Sequence, residues 1–523
     1  MKKTGIFFVV ILLFSVYSTV THAQETVSGT VFLDENGNAK MDPGEEGIPE
    51  VAVSNGREVT LSGEDGSYRL PIEKETIVFI RKPSGYELPL NEKNLPRFSF
   101  YIHHPEGSPE LEYPGLEPTG PLPESVNFGL IPSEKKDSFT ALAFGDPQPR
   151  DDRELSYFRD DIVPELADTD ADVTLVLGDI MFDDLSLFDR YSRIMKTVGT
   201  PVYNILGNHD INYDTEGNRF AKETYKKHYG PTYFSFDYGD VHFISMDNID
   251  YLGRNDEGSP RYRGHLSDTQ LEWIRNDLQH VEDDKLIVLM AHIPLYSADS
   301  DGESVNTVNR EALIDLLEKR DRVLFLGGHR HMTFQHFLGE LFGRINAAPI
   351  HHIATTAACG TWWRGPKNEE GIPIATQMDG VPNGYHIVEF QGNTYRERYK
   401  AAGGDPDFQM RIEVPSTDLV AGELREAEVL VNLFNGSERS KVRFRVDGGE
   451  WHTMQQQDEH VSPYYESLYE SYEGPWSSPN PTNHIWTAPL PELAKEQGIH
   501  KITVWTRDMY GQEFTQNKII EVR

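Results

Sequence analysis

The sequence predicts an α/β fold, a central layered α/β domain between two small β-sandwich domains. Both ends of the chain alternate in short strand-like runs, the middle alternates apolar strands with helical segments, and Gly- and Pro-rich stretches separate the three regions. At roughly 100 to 200 residues per domain, 523 residues suffice for two to four domains. The balance of 84 acidic against 49 basic side chains, formally -35, argues against gripping nucleic acid or an anionic membrane, which takes clustered Lys and Arg. One cysteine, Cys359, forms no intrachain disulfide, so neither a nucleic-acid scaffold nor a disulfide-built module is expected.

At the start, Lys2 and Lys3 precede an apolar or small run from Gly5 to Val20, and Thr21-His22-Ala23 closes it. This pattern predicts a secretory leader over 1–23, cleaved near Ala23, because the run is short for a transmembrane helix. No later stretch is long and apolar enough to span a bilayer, so the mature chain is expected in the periplasm or outside the cell. Runs 27–33, 68–70 and 76–80 predict a β-sandwich over 24–132, whose Pro-rich end, 105–132, reads as a linker or surface excursion. Strands at 139–144, 173–177, 241–245, 286–290 and 323–326, with helices at 266–280 and 310–319, predict the α/β domain over 137–402. After Gly403-Gly404-Asp405-Pro406, runs 409–414, 426–433, 441–446 and 499–506, and one near Ile519, predict a second sandwich over 406–523.

The stretch from Asp34 to Glu45 places oxygen side chains at positions 1, 3, 5, 9 and 12 of a twelve-residue loop, the spacing that wraps a calcium ion. Its candidate residues are Asp34, Asn36, Asn38, Lys40, Asp42 and Glu45, with Ala39 where such loops usually have Gly. Together with Gly47-Ile-Pro-Glu-Val51 and Glu64-Asp65-Gly66-Ser67-Tyr68, the passage resembles calcium-binding B-type repeats and prealbumin-like modules of bacterial surface proteins, which implies a structural ion. The alternative is an ordinary acidic Asn/Gly turn without an ion.

Five motifs occur in order in the central region: Gly145-Asp146-Pro147-Gln148, Gly178-Asp179, Gly207-Asn208-His209-Asp210, Ala291-His292 and Gly328-His329-Arg330-His331. Four directly follow an apolar strand, so their polar residues collect at strand ends, where α/β sheets hold ligands. Asp, Asn and His suit Mn, Fe, Zn or similar divalent ions. Two such ions about 3.5 to 4 Å apart can share a hydroxide and clamp both oxygens of a displacement at phosphorus. That needs a bridging carboxylate, and Asp179 is the candidate.

The order Asp-x-Gln, Gly-Asp, Gly-Asn-His-Asp, Ala-His, Gly-His-x-His resembles the calcineurin-like metallophosphoesterase superfamily over residues 138–400. With β modules at both ends, the chain looks like the three-part bacterial members. The resemblance implies a four-layer α/β/β/α central sandwich and an exported, metal-dependent hydrolase of phosphate mono- or diesters. It implies one ion on Asp146, Gln148, Asp179 and His331 and a second on Asp179, Asn208, His292 and His329. His209 then stands beside the scissile phosphate as general acid or transition-state donor, so that His209, Asp179 and Asn208 carry catalysis. The family usually has His where this chain has Gln148, whose neutral amide oxygen is the weaker ligand; the Asp-Pro-Gln form occurs in a subset of the family. His209 needs an orienting carboxylate, and Asp183 and Asp210 are the candidates.

The Gly- and Pro-rich run after the last motif holds Trp362, Trp363 and Arg364. Folded over the ions, the tryptophans would stack on a base, sugar or acyl group and Arg364 would pair with a phosphate oxygen. The alternative is that the tryptophans anchor the C-terminal domain. The expected substrate is a small-molecule, lipid or sugar phosphate ester. Cys359 is not expected to be a nucleophile, and His103-His104 and His351-His352 read as structural. The rival reading is a non-catalytic surface or binding protein built on the β modules and the calcium loop.

Overall fold

The computed structural model describes residues 24–414, 418–419 and 427–523; the expected leader lies outside them. Among the described residues no helix is long and apolar enough to cross a membrane.

Two sheets lie face to face in the centre. The first has five strands in the order Val202–Asn204, Val173–Val176, Ser138–Phe144, Gly384–Gln391, Thr394–Ala401. Its first three strands are parallel, and the last two form an antiparallel hairpin against Ser138–Phe144. The second has six, in the order Phe234–Tyr238, Val241–Ser245, Leu286–Met290, Val323–Gly327, Ile350–Ala354, Phe334–Leu338, the inner four parallel. Strands covered on both faces need apolar side chains at every position, which is why Leu286–Met290 and Val323–Gly327 read as unbroken apolar runs.

Phe139, Ala143, Leu175, Phe243, Val288 and Leu324 fill the space between the sheets. The outer face of the first sheet packs through Leu142 and Phe144 on helices Asp152–Asp161 and Phe188–Met195, which contribute Leu155, Phe158 and Tyr191. The outer face of the second packs through Ile287 and Leu289 on Trp273 and Ile274 of helix Asp268–Leu278 and Leu313 of helix Arg310–Leu316. Helix Asp268–Leu278 begins at Ser267, whose hydroxyl accepts from Gln270 N at 3.2 Å and meets one of the otherwise unpaired first-turn amides. These are the four layers α/β/β/α.

Near the N-terminus two four-stranded sheets share a core that includes Val31, Val53, Leu70, Val78 and Phe128. The end of the chain forms a four- and a five-stranded sheet over Val431, Phe444, Trp486 and Val504. One expectation is corrected: 105–132 is not only a linker. Phe128–Pro132 pairs in parallel with Thr26–Leu33, and upstream of it the Tyr113 carbonyl accepts from Asn212 Nδ2 and Thr224 Oγ1 of the central domain. The strand Val202–Asn204 and the hairpin over 384–401 were not anticipated.

The N-terminal sandwich docks on the edge of the six-stranded sheet, where Asp237 N donates to Lys82 O at 2.8 Å and so covers an exposed strand edge. Beneath this contact His242 is fully buried between Asp237, 2.6 Å from Nδ1, and Asp277, 2.9 Å from Nε2. Arg81 of the sandwich donates to Asp277 at 3.1 Å, and Lys285 donates to Asp237 at 3.1 Å. Burial alone would lower the His242 pKa, but the two carboxylates outweigh it and hold it above the ordinary 6.5. A raised histidine pKa contributes stability that is complete below the unfolded value and vanishes as pH rises through the folded one. His242→Gln is therefore expected to be less stable than wild type at about pH 6, and the gap in urea midpoint should narrow by about pH 9; a gap independent of pH would contradict the charged imidazole.

Candidate metal centre

All five motifs leave the C-terminal ends of parallel strands, three from the first sheet and two from the second. The backbone turns sharply as it leaves: Asp146, Gln148, Asp179, His329 and His331 have φ of +54°, +40°, +51°, +76° and +50°. Left-handed conformations cost non-glycine residues on the order of 1–3 kcal/mol each and persist where surrounding structure enforces them. The motif glycines allow close approach: a Cβ at Gly178 would lie 2.5 Å from His292 Nδ1, and one at Gly207 would lie 2.0 Å from Asp179 N.

The three imidazoles of the cluster are each tied to a main-chain carbonyl. His292 Nδ1 faces Leu177 O at 2.9 Å, His329 Nε2 faces Ser304 O at 2.9 Å, and His331 Nδ1 faces Gly360 O. A carbonyl only accepts, so each of these nitrogens carries a proton; the inward nitrogens of neutral His329 and His331 are then lone pairs, and that of His292 becomes one when its second proton leaves. Inward, His292 Nε2 lies 3.1 Å from His329 Nδ1, 3.1 Å from Asn208 Oδ1 and 3.2 Å from Asp179 Oδ1. Donor atoms of Asp179, His292 and His329 all fall within 4.8 Å of one another. Once the His292 proton is gone, acceptors face acceptors at this range, out of water, an arrangement that fits a cation. Asn208 is fully buried and its Nδ2 has no partner.

The second half of the cluster is looser. Asp146 accepts from His329 N at 2.9 Å, and His331 Nε2 lies 3.7 Å from its Oδ1. Gln148 is turned with Nε2 donating to Asp179 Oδ2 at 3.0 Å, so a ligand role requires its amide to rotate. Cys359 Sγ lies buried behind it, 3.8 Å from Gln148 Oε1 and 3.7 Å from His331 Nδ1, and burial pushes its thiol well up, which leaves it unreactive.

Electrostatics divide the site. Burial raises Asp146 to about 7, with His292 opposing and Asp179 adding. Burial would raise Asp179 too, but His292 and His209 outweigh it and hold it low. Burial lowers His331 to about 4, and drives His329 well below its usual value with help from the His292 charge. His292, despite burial, is lifted to about 9 by Asp179.

Of the two candidate partners for His209, Asp183 is the one in place: its Oδ1 lies 2.6 Å from His209 Nδ1. The imidazole also stacks on Phe182 at 4.4 Å. Asp210 instead accepts from Ile180 N, Met181 N and Gly207 N at 3.1, 3.0 and 2.9 Å, clamping the second and third motifs together. Trp362 covers His331, with ring centroids 4.1 Å apart, and its carbonyl is held by Arg150 at 2.8 Å. Trp363 is corrected: it is 3% exposed, donates to Pro147 O at 2.8 Å and packs on Tyr157, so it props the first motif and leaves no ring face open for stacking. Arg364 is partly buried beside Arg150 and Glu154 and forms no hydrogen bond or ion pair among the described residues. The tryptophan that docks the C-terminal domain is Trp476, which donates to Thr361 Oγ1. The sequence reading passed over Tyr213, whose hydroxyl donates to Asn208 O at 2.5 Å, and the carbonyl anchors, which carry no residue signature. His351 is satisfied by Tyr395 and Gln335, while His352 accepts from Leu295 N through Nε2 and stacks on Phe325.

The calcium-loop candidates do converge. Asp34, fully buried, accepts from Asn38 N and Ala39 N at 3.1 and 2.8 Å; Asn36 and Asn38 both donate to Asp42 Oδ2 at 2.8 Å; Glu45 accepts from Glu35 N and Asp42 N. Lys40 N donates to Asn38 Oδ1, and Ala39 takes φ +58°, the conformation glycine usually supplies.

Fold and donor set thus define a layered α/β protein with a buried cluster of cation-competent ligands at its strand ends. The chain belongs to the calcineurin-like phosphoesterases: the family's central model matches residues 139–333, its N-terminal model 35–113 and its C-terminal model 352–514. It is 25% identical over 218 residues to acid phosphatase type 7 of Mus musculus, covering 36% of this chain and 48% of that protein. It is 25% identical over 186 residues to a probable glycerophosphodiester phosphodiesterase of Arcobacter nitrofigilis, covering 35% of this chain and 65% of that one. A solved dimetal phosphatase from Danio rerio overlaps 50% of this chain and 96% of its own at 14% identity, with a TM-score of 0.38.

A histidine ligand must be neutral to bind a cation, so the proton that Asp179 holds on His292 has to leave. Titrating the metal-free protein with Mn near neutral pH should release on the order of one proton, read as a calorimetric enthalpy that varies with the buffer's ionisation enthalpy. His292→Gln should reduce that dependence, leaving the part that Asp146, raised to about 7, gives up.

Proposed function

We propose that this chain hydrolyses phosphate esters with divalent cations held by Asp146, Gln148, Asp179, Asn208, His292, His329 and His331. The observation that carries the reading is the tethering of three imidazoles to Leu177, Ser304 and Gly360, which turns their free lone pairs onto Asp179, Asn208 and Asp146. When bound, such ions supply Lewis-acid polarisation and activate water for attack at phosphorus.

The chain's own residues do the rest. His209 stands outside the ligand cluster with Nδ1 on Asp183, and its Nε2 is left to hold a proton for the departing oxygen. Burial would strip that proton, but Asp179 and Asp183 outweigh it and raise the His209 pKa. The unpartnered Asn208 Nδ2 offers N–H groups to a phosphate oxygen. Trp362 shields His331 from solvent. A protein that only bound partners would have no use for a histidine–carboxylate pair poised beside the ligand set.

With p-nitrophenyl phosphate and bis-p-nitrophenyl phosphate in added Mn, His209→Ala is expected to lose at least about 100-fold in turnover while keeping its metal. Asp183→Asn should lose about 10- to 100-fold, since His209 is no longer oriented. Absence of turnover in metal-loaded wild type would sink the proposal.

We further propose that the protein is exported, on the strength of residues 1–23, and that Asp34, Asn36, Asn38, Lys40, Asp42 and Glu45 hold a structural calcium ion in the N-terminal sandwich. Calcium should then raise the melting temperature of the intact chain, and Asp34→Ala should remove the effect; an unchanged melt in wild type would refute the ion.

A further inference from the structure

Beside the His329–His331 turn, a cleft of about 530 Å³ opens between the central and C-terminal domains, within the range of small-molecule sites. The two share a wall. Met332, next in the chain to His331, lines the cleft with Phe334. Arg330, between the two histidines, is ion-paired to the cleft residue Asp299. Met378 N donates to His331 O at 3.2 Å, and the Met378 carbonyl in turn accepts from Asn480 N at 3.0 Å on the opposite wall.

We infer that this cleft is the subsite for the non-phosphate part of the substrate and that it takes an alcohol carrying a protonated amine. The inference rests on the phosphoesterase reading above. The charged residues lining the cleft, Asp299, Asp458 and Glu459, are all acidic; Asp299 is matched by Arg330, whereas Asp458 and Glu459 are exposed and form no ion pair among the described residues. His336, driven down to about 4 by burial, adds no positive charge. Thr482 is 4% exposed and its Oγ1 has no partner, and Asn483 Oδ1 is likewise buried and unpaired. Both line the cleft, and leaving such atoms unmet is costly.

This lining discriminates among occupants. An additional phosphate or carboxylate would be repelled by Asp458 and Glu459. A purely apolar group would suit Met332, Phe334 and Pro481 but leave Thr482 and Asn483 unpaired. A polyol would satisfy those two and donate to the carboxylates, but would bring them no positive charge. An alkylammonium meets all three: methylenes on Met332 and Phe334, N–H donors to Thr482 and Asn483, and positive charge toward Asp458 and Glu459.

The test compares phosphoethanolamine, glycerol 2-phosphate and p-nitrophenyl phosphate in the Mn-loaded protein and in the D458N/E459Q double variant, whose sites are exposed. Wild type should favour phosphoethanolamine over glycerol 2-phosphate by about 10-fold or more in kcat/KM, and the variant should lose most of that preference with p-nitrophenyl phosphate unchanged. Equal turnover of the two natural-type esters, alongside hydrolysis of p-nitrophenyl phosphate, would overturn the subsite and leave the phosphoesterase reading standing. No hydrolysis of any ester would instead overturn that reading. The cleft is then decided by ethanolamine binding to the protein, followed by NMR saturation transfer: binding weakened by Thr482→Val and by the double variant supports it, and binding absent or indifferent to both rejects it.

Discussion

A carboxylate out of water has to be matched by donors and positive charge, and at Asp179 the match comes from both sheets. Asp179 is 2% exposed. Its Oδ1 accepts from His209 N at 2.9 Å on the first sheet and lies 3.2 Å from His292 Nε2 on the second. Gln148, from a third strand end, donates to its other oxygen. Moving any of these strands by one residue would leave the charge uncompensated, a cost of about 3–5 kcal/mol for a broken buried pair. Register in both sheets, the left-handed turns at the motifs and the glycines beneath them all serve to deliver side chains to this one group.

The layered fold was legible because strands buried on both faces must be apolar throughout, and the same strands ended in polar motifs that stood out against them. What escaped notice lacked such contrast. Val202–Asn204 is too short to show a period, yet it delivers Asn208 and His209. The hairpin Gly384–Gln391 and Thr394–Ala401 mixes charged and apolar residues because it forms the edge of its sheet, and the family's C-terminal model runs across it, although it completes the central one. The carbonyls that fix the histidine tautomers belong to Leu177, Ser304 and Gly360, and any residue has a carbonyl. Trp362 and Trp363 are adjacent and alike in sequence, and only the fold separates one over His331 from one beneath Pro147.

The C-terminal domain is tied to the site through the segment that follows the last motif. Asp379, fully buried, accepts from Thr333 N at 2.6 Å and lies 3.1 Å from His484 Nε2, whose other nitrogen meets Asn432. Asn432 Nδ2 donates to Asp379 O at 2.9 Å, and Trp476 holds Thr361. The loop carrying Trp362 is therefore clamped at both ends by side chains from outside the central layers. This explains how a Gly-rich stretch keeps an aromatic ring stacked on His331 without helix or strand of its own.

The chain's 84 acidic residues divide by environment. Most sit on the surface, where like charge favours solubility and costs little. A few are buried, and these have specific counterparts: Asp237 and Asp277 share His242, Asp379 has His484, and Asp210 has three backbone amides. Asp146 and Asp179 differ from all of these. Around them His329 and His331 are kept neutral by burial, so the positive charge nearest to hand is the proton on His292 and that on His209. Besides the donors it accepts from, this acidic pair shares its site with the unprotonated inward nitrogens of His329 and His331, a donor set that suits a cation.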